Sequence, residues 1–582
     1  MIDKSTASFV QSMCMGQILE EIVLPFPEMR REEKETLEQV LASVDQLLSS
    51  RQKDFREWDV KGEMPPAFVE ELKGFGLFGL IIPEEFGGMG FGTAAYSRVL
   101  QQIASWDGSV ALTVGAHSSI GMRGLLLFGT DEQRKRWLPK LATGELVAAF
   151  CLTEAGAGSD AAAVRTTAVR QGNDWILNGE KLWITNGGIA QFFTVFAKTP
   201  VPGEGKAQMT AFIVTSDMPG VSHGPHEDKM GIRASSTTTV RFEDVRLGPE
   251  HVLGGVGKGF KNAMKILNSG RTGLGGGCVG GMRRLIGLAT RQARERKQFG
   301  RPISDFGMVK QKVGEMVADA YAAESVVRMV SGLIDQGYQD YAVEAAISKV
   351  YATEALWRTS DEALQIAGGN GYMREFPYER AMRDARINRI FEGTNDILRL
   401  FIALTAMNQV AAQLKDVAHS IKGVLADPIK GFGVLSDYAL KQASVLTGLV
   451  GERRGWTRLH PALRHEQEQF EEHARELAWA ADRVLRRHGK AIIDKQFALR
   501  RIADILVDQF VLACVLSRVQ AALDSKGEAK SAHELSLLKV VARRVRGRVR
   551  GNFRRMDVND DEIVKDLADD AFEREAYGWD AI

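Results

Sequence analysis

Apolar residues recur at three- and four-residue spacing from residue 33 to about 146, through REEKETLEQVLASVDQLL, PPAFVEELKGFGLFGL, YSRVLQQIASW and ALTVGAHSSIGMRGLLLFG. That period predicts an all-helical N-terminal domain. From 147 to 259 the pattern turns to alternation in TTAVRQGNDWILNGEKLWI, QFFTVFAKT, MTAFIVTSD and TTTVRFEDVRL, each run bounded by Gly, Pro, Asn or Asp. Such punctuated alternation predicts a compact β domain. Helical spacing returns at about Phe260 and persists to 405, as in ISDFGMVKQKVGEMVADAYAAESVVRMVSGLI and AVEAAISKVYATEALWRTSDEALQIA. Long helices with short connections predict an antiparallel bundle. GVLADPIKGFGVL, with Pro428 and several glycines, breaks the period and marks a linker over 406–465. A last helical domain is expected over 466–582, and residues 1–32 form an N-terminal extension. The fold class is therefore mainly α with a central β domain.

At 582 residues the chain exceeds a single core, and about 150 residues per domain suggests three or four domains. With 45% hydrophobic and 26% charged residues it has a globular composition, which excludes a disordered or fibrous chain. A formal net charge of +1 gives no electrostatic reason to expect nucleic acid. Cys14, Cys151, Cys278 and Cys514 lie far apart with no CxxC or Cys/His spacing, so neither a disulfide framework nor a metal site is expected. The N-terminus, MIDKSTASFVQSMCMG, lacks both a basic segment before a long apolar core and an arginine-rich presequence pattern, so a cytoplasmic location is expected. Ile502 to Val519 is the most apolar helical window, but Asp504, Asp508, Gln509 and Arg518 interrupt it, which fits a buried helix and not a bilayer span.

The segment of greatest chemical interest is RINRIFEGTNDILRL, Arg386 to Leu400, where Glu392 stands between an aromatic and a glycine. A carboxylate among apolar neighbours has a raised pKa and suits general-base work. Helix capping by Glu392, Thr394 and Asp396 is the alternative reading. FCLTEAGAGSD, Phe150 to Asp160, and KLWITNGG, Lys181 to Gly188, offer hydroxyls, glycine-freed backbone amides and the flat face of Trp183. Together these can cradle a phosphate or a flavin edge, or can simply be a glycine-rich hairpin.

With RERKQFGRP, Arg294 to Pro302, and LQIAGGNGY, Leu364 to Tyr372, these segments resemble the acyl-CoA dehydrogenase family in kind and order. The region after residue 405 is similar to the helical extension of the very-long-chain branch. The resemblance implies a helical N-terminal domain, a β barrel, a C-terminal four-helix bundle and an appended helical domain, with FAD and thioester between barrel and bundle. It implies Glu392 as the base that removes the α-proton while the β-hydrogen leaves as hydride to flavin N5. The backbone amide of Glu392 would help hold the thioester oxygen, with Gly393 beside the substrate. Gly273 excludes the base position of the isovaleryl branch.

For FAD the matching positions are Phe150, Leu152, Thr153, Gly158 and Ser159, then Trp183 and Thr185, and Thr394 and Asp396 after the base. Arg296, Gln298, Phe299, Gln365, Gly368 and Gly369 resemble the set that reaches the cofactor's pyrophosphate and adenosine across a dimer interface. Ser159, Asn268 and Arg271 match contacts to the CoA arm. Ala155 replaces the family's usual proline, and Asn268 the aspartate of many shorter-chain members. Gly121 and Gly124 are expected to leave a groove for a long acyl chain, although close helix packing also explains them.

The function implied is FAD-dependent dehydrogenation of long-chain or very-long-chain acyl-CoA to trans-2-enoyl-CoA by a homodimer that passes electrons to electron-transfer flavoprotein. An acyl-CoA oxidase and a respiratory complex assembly factor derived from this family are the alternatives. LTGLVGERRGWTRLH, with Leu449, Val450 and Trp456, is the candidate for peripheral membrane contact. A second basic stretch carries Arg543, Arg544, Arg546, Arg548 and Arg550, suited to anionic lipid head groups or a partner protein, or to a solvated helix face paired with nearby acids.

Overall fold

A computed structural model of the chain describes residues 3–201, 203, 205–412, 414 and 455–580. These fall into two compact units, one of Met1–Ala7 and Leu24–Leu398, the other of Ser8–Val23 and Arg399–Ile582. Two short helices, α1 (Phe9–Cys14) and α2 (Glu20–Val23), open the chain. The first unit continues with α3 (Arg31–Ser49), α4 (Gln52–Lys61), α5 (Pro66–Gly74), α6 (Thr93–Ala104), α7 (Gly108–Ala116), α8 (Arg123–Phe128) and α9 (Asp131–Thr143). Local chemistry sets their ends: Asp107 accepts from the amides of Ser109 and Val110 to start α7, and Thr130 and Gln133 form a capping box at α9.

Eight strands follow: β1 (Ala148–Cys151), β2 (Thr167–Gln171), β3 (Asp174–Thr185), β4 (Phe192–Thr199), β5 (Gln208–Thr215), β6 (Val221–His223), β7 (Thr237–Leu247) and β8 (Val252–Leu253). They pair in the order β6-β7-β3-β2-β4-β5-β8, with β1 parallel to β4 off this path. Successive residues of β4 serve two cores. Phe193, Val195 and Ala197 pack with Trp175, Phe212 and Phe242 inside the sheet domain. Phe192 and Phe196 pack with Met122, Leu125 and Leu138 of the helices. A strand covered on both faces explains why QFFTVFAKT is apolar almost without interruption.

The bundle comprises α10 (Gly259–Glu295), α11 (Gly307–Asp335), α12 (Ala342–Ala367), the short α13 (Gly369–Tyr372), α14 (Pro377–Arg386) and α15 (Asn395–Ala406). Nine glycines within one 37-residue helix would ordinarily weaken it. Here they permit close approach: a Cβ at Gly275 would meet Ser348 and Val327 at 3.0 Å, and one at Gly280 would collide with the backbone of Gln101 on α6. Gly121 and Gly124 also pack closely, which corrects the expected acyl groove. A Cβ at Gly121 would lie 2.8 Å from the backbone of Ala148, and one at Gly124 would lie 3.0 Å from Ile266 and Leu253. Gly121 ends a π-helical turn, His117–Gly121, that His117 ties to the sheet by accepting from the Ala148 amide at 2.9 Å.

The second unit contains α16 (Arg464–His488), α17 (Gln496–Lys530), α18 (Ala532–Asp557) and α19 (Asp561–Arg574). The segment expected as an extension is part of its core: Phe9 packs against Trp456, Phe470 and Phe510 with centroids 6.1–6.3 Å apart. Glu20 is buried and accepts from the Thr457 amide at 2.8 Å. Trp456 is therefore a core residue and not a membrane anchor, while Leu449 and Val450 lie outside the described residues. In the basic stretch, Arg548 binds buried Asp508 and Arg550 binds Glu472, so these two belong to internal ion pairs. The window Ile502–Val519 lies buried within α17, where Gln509 bonds His473 at 2.8 Å.

The two kinds of glycine on α10 separate by measurement. Gly280→Ala should lower unfolding stability by about 1–3 kcal/mol through overpacking. Gly287→Ala, where a Cβ meets nothing within 4 Å, should raise it by about 0.5–1 kcal/mol. Thermal unfolding of the two variants checks both signs.

Candidate active site

Glu392 and Gly393 form the turn between α14 and α15, with φ of 57° and 88°. A left-handed glutamate is strained and persists only where its surroundings enforce it. Two buried cations do so. Arg271 of α10 donates through Nε to the Glu392 carbonyl at 3.3 Å, and Lys349 of α12 donates to the Gly393 carbonyl at 2.8 Å. Lys349 also donates to Asn395 Oδ1 at 2.8 Å, and Asn395 in turn donates to Thr353 and Glu354, each at 3.0 Å. Asn268 accepts from Arg271 at 2.6 Å. Asn268 and Arg271, expected on the CoA arm, thus support the Glu392 turn. Helix capping holds for Thr394, whose hydroxyl accepts from the Ile397 amide at 3.2 Å, while Asp396 is exposed in the first turn.

The Glu392 side chain points the other way, into a cavity of about 830 Å³. Its Oε2 has no hydrogen-bond partner among the described residues. Burial raises the carboxyl above its ordinary pKa, opposed by Arg271 and Lys349. The same burial pulls Arg271 down to about 10 and Lys349 down to about 7, each against the attraction of Glu392. The amide of Glu392 has no acceptor among the described residues and is free to donate.

One face of α10 lines the cavity with small residues, Gly270, Gly273, Gly277 and Gly281, at helical spacing. Ala104 of α6 and Ala111, Leu112, Gly115 and Ala116 of α7 face it. These residues, and not Gly121 and Gly124, leave the room for an alkyl chain. At the end remote from Glu392, Asp384 is pushed up to about 7 by burial and by neighbouring Asp107.

FCLTEAGAGSD lies beside β3: the Thr153 carbonyl accepts from the Leu182 amide at 2.9 Å. Glu154 fixes it there, accepting from Lys181 Nζ at 2.7 Å, Thr166 Oγ1 at 2.6 Å and the amides of Arg165 and Thr166. Burial would raise the Glu154 carboxyl, but these donors overcome it and hold it below the usual range. A register shift in β3 between Lys181 and Ile184 turns Trp183 outward, with φ of 57° and 61% exposure, while Thr185 lines the cavity that holds Glu392. Phe150 packs on Phe196 at 4.9 Å and Leu152 is buried, so both support the shelf from below.

These residues fit FAD. Gly158 and Ser159 are exposed and their amides have no acceptor among the described residues; a Cβ at Gly158 would meet nothing within 4 Å. An open flat aromatic, unclaimed amides and Thr185 at the cavity wall form a shelf for a planar ring with a phosphate tail. Arg296, Gln298, Phe299, Gln365, Gly368 and Gly369 do not line the cavity and lie exposed, Phe299 at 92% on the tip of the hairpin β9 (Lys297–Gln298) and β10 (Arg301–Pro302).

Several site residues carry no motif of their own. Lys349 reads as an ordinary lysine in ISKVYATE, and Glu154 and Lys181 as loop charges. The cavity-lining face of α10 was readable, since Gly270, Gly273, Gly277 and Gly281 repeat at three and four.

A helical domain, a central sheet and a bundle that together place one unpaired carboxylate in an apolar cavity beside a flavin shelf define an acyl-CoA dehydrogenase. Residues 34–145, 149–245 and 257–407 match the acyl-CoA dehydrogenase N-terminal, middle and C-terminal domains. The chain belongs to the acyl-CoA dehydrogenase family. Residues 461–577 match the ACAD9/ACADV C-terminal domain, the extension that marks the very-long-chain branch. The chain is 43% identical over 546 residues to the very long-chain specific acyl-CoA dehydrogenase of Homo sapiens mitochondria, covering 91% of this chain and 81% of the relative. It is 37% identical to a probable acyl-CoA dehydrogenase of Bacillus subtilis, over 79% of this chain and 76% of that protein. An acyl-CoA dehydrogenase complexed with FAD from Bacillus anthracis superposes with a TM-score of 0.79 at 31% identity, over 94% of this chain and 91% of that one. Butyryl-CoA dehydrogenase from Megasphaera elsdenii gives 0.61 at 33% identity, over 64% and 98%.

Lys181→Met leaves the buried Glu154 carboxylate without its cation and should cost about 3 kcal/mol of stability. Denaturant unfolding measures this, and a loss below about 0.5 kcal/mol would show that the ion pair does not hold the shelf.

Proposed function

We propose that the chain converts long-chain and very-long-chain acyl-CoA thioesters to trans-2-enoyl-CoA, with Glu392 removing the α-proton. The observation that carries this is the unpartnered Glu392 carboxylate on the wall of an apolar cavity. FAD, when bound, would supply the acceptor for the hydride of the β-carbon. Trp183, Thr185 and the amides of Gly158 and Ser159 would hold it, together with Thr394 and Asp396. Arg296, Gln298, Phe299, Gln365, Gly368 and Gly369 would meet the cofactor of a second copy of the chain. Electron-transfer flavoprotein is the proposed acceptor.

Glu392 does two things at once. Its carboxylate takes the proton, and its free amide donates to the thioester oxygen as charge develops there, an interaction worth about 3 kcal/mol in comparable sites. Arg271 and Lys349 oppose the rise that burial imposes on the carboxyl, while their hydrogen bonds hold the turn. The α10 glycines exclude water by closing on the alkyl chain without filling its path.

Glu392→Gln should retain its yellow colour and fail to bleach when mixed anaerobically with hexadecanoyl-CoA. Normal bleaching would assign the base elsewhere. For the native enzyme, kcat/KM should fall as pH drops through an acid limb above the ordinary carboxylate range. Lys349→Met removes a cation that lowers this pKa, so the limb should move to higher pH; a shift to lower pH would contradict the electrostatic role.

Chain length has its own test. A Cβ at Gly277 would lie 3.7 Å from Ala104, an ordinary contact, so a larger side chain there projects into the cavity without disturbing the helix. Gly277 is seven residues from Gly270, about 10 Å along the helix and about eight carbons of extended chain. Gly277→Leu should keep octanoyl-CoA as a substrate and lose hexadecanoyl-CoA by about tenfold or more in kcat/KM.

A further inference from the structure

The cavity face of α10 does not end in a glycine. Continuing the spacing Gly270, Gly273, Gly277, Gly281, the next residue on that face is Arg284, which also lines the cavity. Its guanidinium stacks on Trp106 at 4.8 Å and donates to Gln52 at 3.3 Å, and among the described residues no carboxylate lies within ion-pair distance of it. An arginine with an aromatic at its back and a fork that makes only one long hydrogen bond, to an amide, can receive a planar anion.

The acids at that end are mostly spoken for. Asp107 faces Arg380 at 3.5 Å, Asp59 and Glu379 both bind Arg383 at 2.7 Å, and Asp384 accepts from the Ile232 amide. Lys53, Arg56 and Arg374 line the same end, opposed by Glu375. This end is therefore polar and rich in uncommitted positive charge, whereas the stretch from Gly270 to Gly281 is apolar.

Distance decides which ligand can use it. Gly270 adjoins the catalytic carboxylate, since a Cβ there would lie 3.5 Å from Glu392 Oε2. Fourteen residues separate Gly270 from Arg284, about 21 Å at 1.5 Å per residue. An all-anti alkyl chain advances about 1.3 Å per carbon, so about 14–18 carbons span the gap once the backward tilt of the arginine side chain is included.

We propose that Arg284 is a specificity determinant for acyl-CoA thioesters that carry a second carboxylate at the ω end, with chains of about 14–18 carbons. The proposal rests on the acyl-CoA reading of the cavity and deepens it. The thioester sits at Glu392, the methylenes lie along the glycine face, and the ω-carboxylate takes the open fork of Arg284. A plain acyl chain of the same length leaves its methyl group against a charged end.

The test compares hexadecanoyl-CoA with the mono-CoA thioester of hexadecanedioic acid, and octanoyl-CoA with that of octanedioic acid, on native protein, Arg284→Leu and Arg284→Lys. The readout is the ratio of KM values within each pair on the same preparation, which cancels any loss of folded protein. Native protein should favour the sixteen-carbon diacid, and Arg284→Leu should erase that preference by about tenfold or more, with Arg284→Lys in between. The eight-carbon ratio should not change, because its carboxylate falls short. An unchanged sixteen-carbon ratio in Arg284→Leu overturns the proposal, as does an equal change at both lengths. If hexadecanoyl-CoA bleaches the native flavin and the ratio stays fixed, only the ω-carboxylate proposal fails. If no thioester bleaches the native flavin, the acyl-CoA reading fails with it.

Discussion

The site depends on two cations that should not, on solvation grounds alone, be where they are. Arg271 and Lys349 are buried, and each gives a hydrogen bond to one of two consecutive carbonyls in a left-handed turn. Burying either charge alone would cost several kcal/mol, and the strained glutamate adds about 1–3. The arrangement closes because each cost offsets another. The carbonyls and Asn268 and Asn395 solvate the cations, the cations hold the turn, and the turn brings Glu392 close enough to balance their charge. Its carboxylate therefore remains a usable base inside an apolar wall.

The same economy appears in α10. A single helix meets α6, α11, α12 and the substrate cavity, and it has glycines toward several of them. Gly276 and Gly280 let backbones touch, whereas a Cβ at Gly277 would meet only Ala104, at 3.7 Å, so that glycine keeps space open. Identical residues serve opposite purposes because what matters is whether a neighbour already fills the volume. The helix tolerates so much glycine because packing, rather than propensity, determines its conformation.

The domain order, the periods of helix and strand and the central place of Glu392 were legible in the sequence, because each rests on local pattern or on motifs that survive without context. The exposed face of Trp183 and the place of Thr185 on the cavity wall follow a contiguous motif, KLWITNGG. What local pattern could not convey was pairing across distance. Nothing in the vicinity of Lys181 announces Glu154, and nothing near Lys349 announces Gly393. Gly121 and Gly124 misled for the converse reason: their spacing is right for a groove, yet Ala148, Leu253 and Ile266 occupy the space beside them. Trp456 read as a surface anchor because its core partner Phe9 stands at the opposite end of the chain.

That last partnership has a kinetic consequence. Phe9 is synthesised 461 and 501 residues ahead of Phe470 and Phe510, against which it packs. At about 5–20 residues per second the N-terminal strip must wait roughly half a minute or more before its partners exist. During that interval the first unit can complete itself while an apolar segment at its leading end remains without shelter. The nascent chain thus has a built-in window of vulnerability to chaperones and proteases, one that closes only once Phe510 has been made.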